Sequence, residues 1–264
     1  MSHFLIAKIA VTIGMVLTLS LVAERVSPRV AGLLSGYPLG AAIALFFIGL
    51  EISPEFAAES AIYTLAGLAA SQAFVYGYFM ASRRAVGRGI LASTAAGLAG
   101  YFAVAWLLRL VPFSRGLAVI AAVGSMAVFV CLFRGIRDVA ITRSVRLTPA
   151  IFLMRAAFAA GIIVAITAAA QVVGPAWAGL FSAFPTALLP LMLIVHMTYD
   201  KAHVHTIIKN FPLGIGSLII YGISVSYLYP ACGVAWGTLA AFGMATVYLL
   251  VYGAVVARRR RPRR

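Results

Sequence analysis

Hydrophobic residues in this chain fall into long, nearly continuous blocks separated by short polar segments. Nine blocks are long enough to be membrane spans: 4–23, 30–50, 56–80, 90–111, 117–133, 149–172, 177–197, 207–229 and 233–257. A helix needs about 20 mostly apolar residues to cross the roughly 30 Å hydrocarbon core of a bilayer. Because backbone amides and carbonyls cannot stay unpaired in lipid, each block is predicted to be helical. The pattern therefore predicts an all-α polytopic membrane bundle of nine transmembrane helices.

The amino-acid composition also indicates a protein that resides in a lipid bilayer. The chain is 63% hydrophobic and 10% charged, with a mean hydropathy of +1.04. A soluble domain is about 45–50% apolar and about 25% charged, so this chain has too few polar groups to cover a surface that faces water. A soluble enzyme, a disordered tail and a secreted disulfide scaffold are excluded. We expect a multi-pass protein of the bacterial inner membrane.

The formal net charge of +15 is concentrated on one side of the predicted bundle. With nine spans, every second loop lies on the same side of the membrane. The loops and tail of one side contain sixteen basic residues: Arg25, Arg29, Arg83, Arg84, Arg88, Arg134, Arg137, Arg143, Arg146, Lys201, Arg258, Arg259, Arg260, Arg261, Arg263 and Arg264. Because Lys and Arg accumulate in cytoplasmic loops, the N-terminus is predicted outside and the C-terminus inside. The arginine tail is predicted to bind anionic lipid head groups, not nucleic acid.

One sequence segment occurs twice. Residues 28–38 read PRVAGLLSGYP and residues 175–185 read PAWAGLFSAFP, so six of eleven positions are identical at a spacing of 147. In the same register, Lys8 inside the first span matches Arg155 inside the sixth. Five spans separate the starts of the two copies, so the second copy is predicted to be inverted. The alternative is chance similarity between apolar helices.

The repeat predicts four segments. The first four-helix repeat covers residues 1–115, a linker helix with its loop covers 116–148, the inverted repeat covers 149–257, and the basic tail covers 258–264. Inverted repeats are typical of secondary transporters, whose substrate sites lie at the repeat interface near the bilayer midplane. The alternative is that duplication only produced a stable pseudo-symmetric bundle.

The motif A-G-L-x-x-x-F-P-T at residues 178–186, followed by His196, resembles that of the GlpM-like small inner-membrane proteins. The first half, with residues 28–38 and later Gly49-Leu50-Glu51, is similar to a diverged copy. The resemblance implies two such units fused in tandem. The arrangement of four, one and four helices also resembles that of small multidrug resistance and drug/metabolite transporters. The chain differs from the former group because Lys8 replaces their membrane-embedded glutamate.

Pro38 and Pro185 predict breaks inside spans two and seven. Proline removes a helical hydrogen bond and clashes with the preceding turn, which leaves backbone groups free for a substrate. The predicted substrate-binding residues are Lys8, Ser35, Tyr37, Pro38, Arg155, Ser182, Phe184 and Pro185. Each of the two charges costs about 2.5–3.5 kcal/mol inside a span, and we expect them to attract an anionic or lipid-like substrate. Alternatively, both side chains snorkel to head groups.

Few other titratable residues lie within or beside the spans. Glu59, His196 and Glu51 are the candidates for proton coupling, because a desolvated carboxyl or imidazole can titrate near neutral pH. Ser53, Pro54 and Glu55 instead predict the start of a helix. A third group, Asp200, His203 and His205, has metal-ligand chemistry, although solvated side chains in a cytoplasmic turn are the favoured interpretation. No cofactor is expected.

Three functions fit these features. The first is a secondary transporter or lipid-flippase-like protein that moves an anionic or amphipathic substrate by alternating access. The second is a non-transporting scaffold or accessory subunit of an envelope-polysaccharide pathway. The third is a membrane enzyme with an outer-face Glu cluster, although the sequence contains no phosphate-binding glycine loop, zinc-hydrolase signature or nucleophile elbow, so we expect no enzyme. A cavity lined by Lys8, Ser35, Arg155 and Ser182 would favour transport, and a dry, closed interface would exclude it.

Overall fold

The computed structural model describes residues 34–85, 89–139 and 149–259 and a few positions before residue 15. The described part of the chain is helical and contains no strand. Its helices are α1 (Leu39–Glu51), α2 (Pro54–Arg84), α3 (Ile90–Arg109), α4 (Arg115–Phe133), α5 (Pro149–Ser182), α6 (Leu188–Thr198) and α7 (Lys201–Arg259). The all-α class is thus confirmed. The predicted first span lies mostly outside the described residues.

The start of α2 follows from its sequence. The Ser53 side chain accepts a hydrogen bond of 3.1 Å from the Phe56 amide, and Pro54 occupies the first turn. Glu55 is the acidic residue of that turn, and Arg83 and Arg84 lie in the last one. Acids at the N-terminus and bases at the C-terminus of a helix both complement its dipole. The predicted helix start is therefore confirmed.

Three described helices are long and apolar enough to cross a membrane: Ile90–Arg109, Arg115–Phe133 and the Lys201–Ala254 part of α7. Two others, α1 and α6, are apolar but contain only 13 and 11 residues. At 1.5 Å per residue these two extend about 20 and 16 Å, which is less than the roughly 30 Å hydrocarbon core. They are half-length helices within blocks predicted as full spans.

The chain reverses direction within α7. Gly233 has φ 79° and ψ 171°, a conformation that glycine adopts readily because it has no Cβ. Contacts across the turn pair residues on either side of it: the Tyr229 hydroxyl lies 2.7 Å from Thr238 Oγ1, and Ser224 Oγ lies 3.6 Å from Met244 Sδ. The two arms therefore run antiparallel, and they correspond to the blocks at 207–229 and 233–257. Gly174, at φ 78° and ψ 171°, interrupts α5 in the same way.

Helix α2 lies at the centre of the described bundle and contacts α3, α4, α5 and α7. Its buried aromatic residues Phe74 and Tyr78 belong to the largest apolar cluster, which α6 and α7 complete. A second cluster around Tyr221 and Tyr229 packs the α7 arms against α1. Small residues allow the close contacts, since a Cβ on Gly77 would lie 2.5 Å from the Ala96 carbonyl oxygen. Such close packing through small residues is typical of membrane helices.

Candidate functional site

Two helix breaks form the centre of the site. The first precedes α1, at residues 35–38, and the second separates α5 from α6, at residues 183–187. Three backbone hydrogen bonds of the first break recur 147 residues later. In the first break the bonds are Tyr37 N to Leu34 O (3.0 Å), Leu39 N to Tyr37 O (2.8 Å) and Ala42 N to Pro38 O (2.7 Å). The corresponding bonds of the second break, in the same order, are Phe184 N to Phe181 O (3.0 Å), Thr186 N to Phe184 O (2.7 Å) and Leu189 N to Pro185 O (3.0 Å). The two breaks therefore share one backbone conformation.

Each break is held by a serine from another helix. The buried Ser217 hydroxyl of α7 donates a hydrogen bond of 2.9 Å to the Gly36 carbonyl. The buried Ser71 hydroxyl of α2 donates to the carbonyl of Ala183, which stands 147 residues after Gly36. These bonds satisfy carbonyls that lie outside any helix and would otherwise be buried without a partner.

The same helices contact the breaks through glycines. A Cβ on Gly36 would lie 2.3 Å from the Gly214 carbonyl carbon, so backbone meets backbone at this point. At the second break, a Cβ on Gly67 would lie 2.8 Å from the Ala183 Cβ. Gly67 and Gly214 are themselves 147 residues apart, which extends the correspondence from the breaks to the helices that hold them.

A small cavity lies where the two breaks meet. Its volume is about 20 Å³, which is room for one water-sized species. The polar residues that line it are Ser35, Tyr37, Ser71, Ser182 and Thr186, and the small residues Gly40, Ala41 and Ala187 also line it. No charged side chain is among the described residues that line it. We call it the polar cavity after these five polar residues, although its uncharged lining also includes apolar side chains such as Phe211 and Leu218.

The structure brings most of the predicted substrate-binding residues together. Ser35 and Tyr37 of the first break and Ser182, Phe184 and Pro185 of the second all line this cavity. Pro38 is buried beside it, as the residue that precedes α1. Lys8 and the Arg155 side chain lie outside the described residues, so their part in substrate binding stays a prediction.

The proton-coupling candidates have different surroundings. His196 is buried near the end of α6, where its Nδ1 lies 2.8 Å from the Tyr78 hydroxyl. Glu59 is exposed on α2, and Glu51 is half-buried at the end of α1. Of the three, only His196 is fully buried, and a polar side chain, that of Tyr78, contacts it there.

The metal candidates divide into two separate sets. Asp200 Oδ1 accepts bonds of 2.9 and 3.1 Å from the Ala202 and His203 amides and lies 2.7 Å from His203 Nδ1, so it caps α7. Partial burial alone would raise the Asp200 pKa, but the His203 contacts and the Ala202 amide lower it below the ordinary 3.8. His205 instead lies 2.8 Å from the Ser82 hydroxyl. No group of three possible metal ligands occurs among the described residues.

Several residues at the site were not predicted from the sequence. Ser71, Ser217 and Thr186 contact or line the breaks, and Tyr78 contacts His196. One signal was available for the helices that hold the breaks, because the spacing of 147 also pairs Gly67 with Gly214. Nothing in the local sequence distinguishes the two serines from the many others in apolar helices.

No protein-family model, curated protein or solved structure matches this chain. The fold and the site therefore define a class only. The described chain is an all-helical protein with helices apolar enough to cross a membrane, in which two half-length helices begin at a shared polar cavity.

Proposed function

We propose that this chain is a secondary transporter or lipid-flippase-like protein of the bacterial inner membrane. It moves an anionic or amphipathic substrate by alternating access of two inverted four-helix repeats. One observation carries the proposal: two helix breaks with the same hydrogen-bond pattern, 147 residues apart, line one polar cavity. Discontinuous helices at a repeat interface are the usual location of substrate sites in secondary transporters.

The contacts between the proposed repeats support this interpretation. Ser217 of the second repeat holds the first break, and Ser71 of the first repeat holds the second break. The site is therefore built from both repeats, so a movement of one repeat against the other would change it. Such a movement is what alternating access requires.

A second cavity favours an amphipathic substrate. It has a volume of about 340 Å³ and is lined almost entirely by apolar side chains of α3 and α5, including Leu98, Phe102 and Ile166. Phe184 lines both this cavity and the polar one. An apolar chain in the larger cavity would therefore place its polar end beside the helix breaks.

His196 is the proposed proton-coupling residue. It is buried and hydrogen-bonded to Tyr78, whereas Glu59 is exposed to the surroundings of the bundle. A buried imidazole near the end of a half-length helix would change the charge of the core when it binds a proton. Coupling through His196 would therefore act on the element that starts at the second break.

The scaffold alternative also has an observation in its favour. The polar cavity holds only one water-sized species, and glycine contacts close the packing around it. A transporter must open this cavity to each side in turn, whereas a scaffold keeps it closed. Accessibility therefore separates the two functions without knowledge of the substrate.

The test is thiol labelling from each side of the membrane. Cys131 and Cys232 are free and exposed, so both are first replaced by serine. Ser182→Cys then places a thiol at the cavity, and Ser226→Cys serves as a control, because Ser226 is equally buried and lines neither cavity. Alternating access requires a membrane-impermeant reagent to label Ser182→Cys in both right-side-out and inverted vesicles, with the control unlabelled.

Absence of labelling from both sides would support the scaffold, and labelling from one side only would contradict alternating access. Proteoliposome flux of candidate anions then tests the substrate. Lys8→Ala and Arg155→Ala should reduce the flux of an anion if these cations attract it. If both variants transport the anion as fast as the unmodified protein, that role is refuted.

A further inference from the structure

Two helix N-termini meet at the polar cavity. Gly40 and Ala41 belong to the first turn of α1, and Ala187 immediately precedes α6. The first amides of any helix lack an acceptor within it. Within the described chain, the N–H groups of Gly40 and Ala41, and of Ala187 and Leu188 at the matching positions, have no hydrogen-bond acceptor. Four unpaired amides therefore lie at or beside one small cavity.

The electrostatics of this arrangement favour negative charge. Each helix N-terminus carries the equivalent of about half a positive charge. Neither α1 nor α6 has an acidic residue in its first turn. The described lining contains no charged side chain either. The two positive helix ends therefore converge without a carboxylate to neutralise them.

The Thr186 hydroxyl is an independent sign of a ligand. Thr186 is 4% exposed, lines the cavity, and has no hydrogen-bond partner for its hydroxyl among the described residues. The hydroxyl lies against the start of α1, because a Cβ on Gly40 would be 2.0 Å from Thr186 Oγ1. By contrast, Ser71 and Ser182 donate their hydrogens to the carbonyls of Ala183 and Ala178. Thr186 thus retains a donor that a bound anion would accept.

We propose that this cavity binds one anionic atom, either a halide or a single oxygen of a carboxylate or phosphate. Its donors are the amides of Gly40, Ala41 and Ala187 and the Thr186 hydroxyl. Amides at a helix N-terminus bind anions because they combine hydrogen bonds with the helix dipole. The volume of about 20 Å³ limits the bound part of the ligand to one atom of about the size of water. The inference rests on the proposed function in one respect, since it names the substrate class of that site.

The test measures equilibrium binding to the full-length protein in nanodiscs of digalactosyldiacylglycerol, an uncharged lipid without phosphate. The melting temperature is followed while choline chloride, bromide, fluoride or phosphate is added, and Thr186→Val treated in the same way reports the general effect of the salt. A ligand that binds only the folded state raises the melting temperature in a saturable way. We expect such a rise with at least one of these anions.

Three substitutions locate the site. Thr186→Val keeps the shape but removes the donor, so the anion affinity should fall roughly tenfold or more, as expected for a hydrogen bond to a charged group. Thr186→Ser should restore most of the affinity. Thr94→Val is the matched control, because the Thr94 hydroxyl bonds to the Ile90 carbonyl and lines neither cavity. The control should bind the anion like the unmodified protein.

Repetition in phosphatidylglycerol nanodiscs without small anions identifies the source of the anionic atom. Stabilisation by the lipid alone, lost in Thr186→Val, assigns the site to a head-group oxygen. The inference is overturned if no anion or lipid stabilises the protein, or if Thr186→Val responds like the unmodified protein. If the anion binds but Ser182→Cys is labelled from neither side, the anion site is supported and alternating access is refuted. If Ser182→Cys is labelled from both sides but no anion binds, alternating access is supported and the anion site is refuted.

Discussion

Replacement of Gly36 by alanine tests the packing on which the site depends. In the first break, a Cβ on Gly36 would lie 2.3 Å from the carbonyl carbon of Gly214 and 2.6 Å from the Ile215 amide nitrogen. Neither atom belongs to a side chain that could rotate away. Gly36 has no positive φ, so the substitution introduces steric overlap without backbone strain.

The expected cost follows from the contact. Overpacking of a core by a methyl group costs about 1–3 kcal/mol. Gly36→Ala should fall near the upper end of this range, because the atoms that the new methyl meets belong to the backbone of α7. Separation of the two segments would also weaken the 2.9 Å hydrogen bond from Ser217 to the Gly36 carbonyl. We therefore expect a loss of about 3 kcal/mol. For a chain of this size, that corresponds to a melting temperature lower by about 6–12 °C.

The assay is the melting temperature in detergent, read as the monodisperse fraction that survives heating. Two other glycines calibrate it. In Gly67→Ala the new methyl would lie 2.8 Å from the Ala183 Cβ and 3.4 Å from Leu180, which is less overlap than at Gly36, so the substitution should cost about 1–2 kcal/mol. Gly124→Ala in α4 meets nothing within 4 Å and should stabilise the helix by up to about 1 kcal/mol. A melting temperature for Gly36→Ala equal to that of Gly124→Ala would refute the close contact between the first break and α7.

Three further predictions concern polar groups. Ser217→Ala should destabilise by about 1–2 kcal/mol, because the Gly36 carbonyl stays buried without its donor; the same melting assay measures this. Tyr78→Phe removes the hydroxyl that lies 2.8 Å from His196 and should cost a similar amount in that assay. The lowered Asp200 pKa adds stability above pH 3.8 that disappears as the pH falls through the folded-state value, so melting temperatures measured from pH 6 to pH 3 should depend less on pH in Asp200→Asn.

Controls and contradicting outcomes differ among these three. Ser93→Ala is the control for the serine, because the Ser93 hydroxyl bonds only to the Gly89 carbonyl of its own helix start; a loss equal to that of Ser217→Ala would contradict the specific role. A Tyr78→Phe variant as stable as the unmodified protein would remove the buried pair with His196. The Asp200 contribution is small because its side chain is 59% exposed. A steeper acid loss in Asp200→Asn would show the opposite sign.

Glu59 and His196 show how far a linear sequence predicts a site. Both are titratable residues within predicted spans, and both were candidates for the same role. The sequence cannot say which face of a helix meets the rest of the bundle when nearly every position is apolar. The packing places His196 against Tyr78 and leaves Glu59 exposed. Their environments therefore differ for a reason that lies outside either segment.

The helix breaks show the reverse case. Pro38 and Pro185 predict them, because a proline ring removes a helical hydrogen bond. Proline alone is not sufficient, since Pro212 lies inside the continuous first arm of α7. Small residues around them, including Gly36 and Ser182, fit a locally opened backbone. The structure has both breaks at these positions. The combination of a proline with small neighbouring residues was informative here, because these interactions span only a few residues.

The helical class, the long apolar helices and the places where two helices are interrupted can be predicted from the sequence, since each depends on neighbouring residues. The meeting of the two interruptions follows from the tertiary packing alone. Contacts such as Ser71 to Ala183 and Gly36 to Gly214 join residues more than 100 positions apart. From that meeting arises a Thr186 hydroxyl that has no hydrogen-bond partner among the described residues and lies beside the first amides of α1. The chemistry of the cavity is therefore a property of packing between distant segments, which no local pattern encodes.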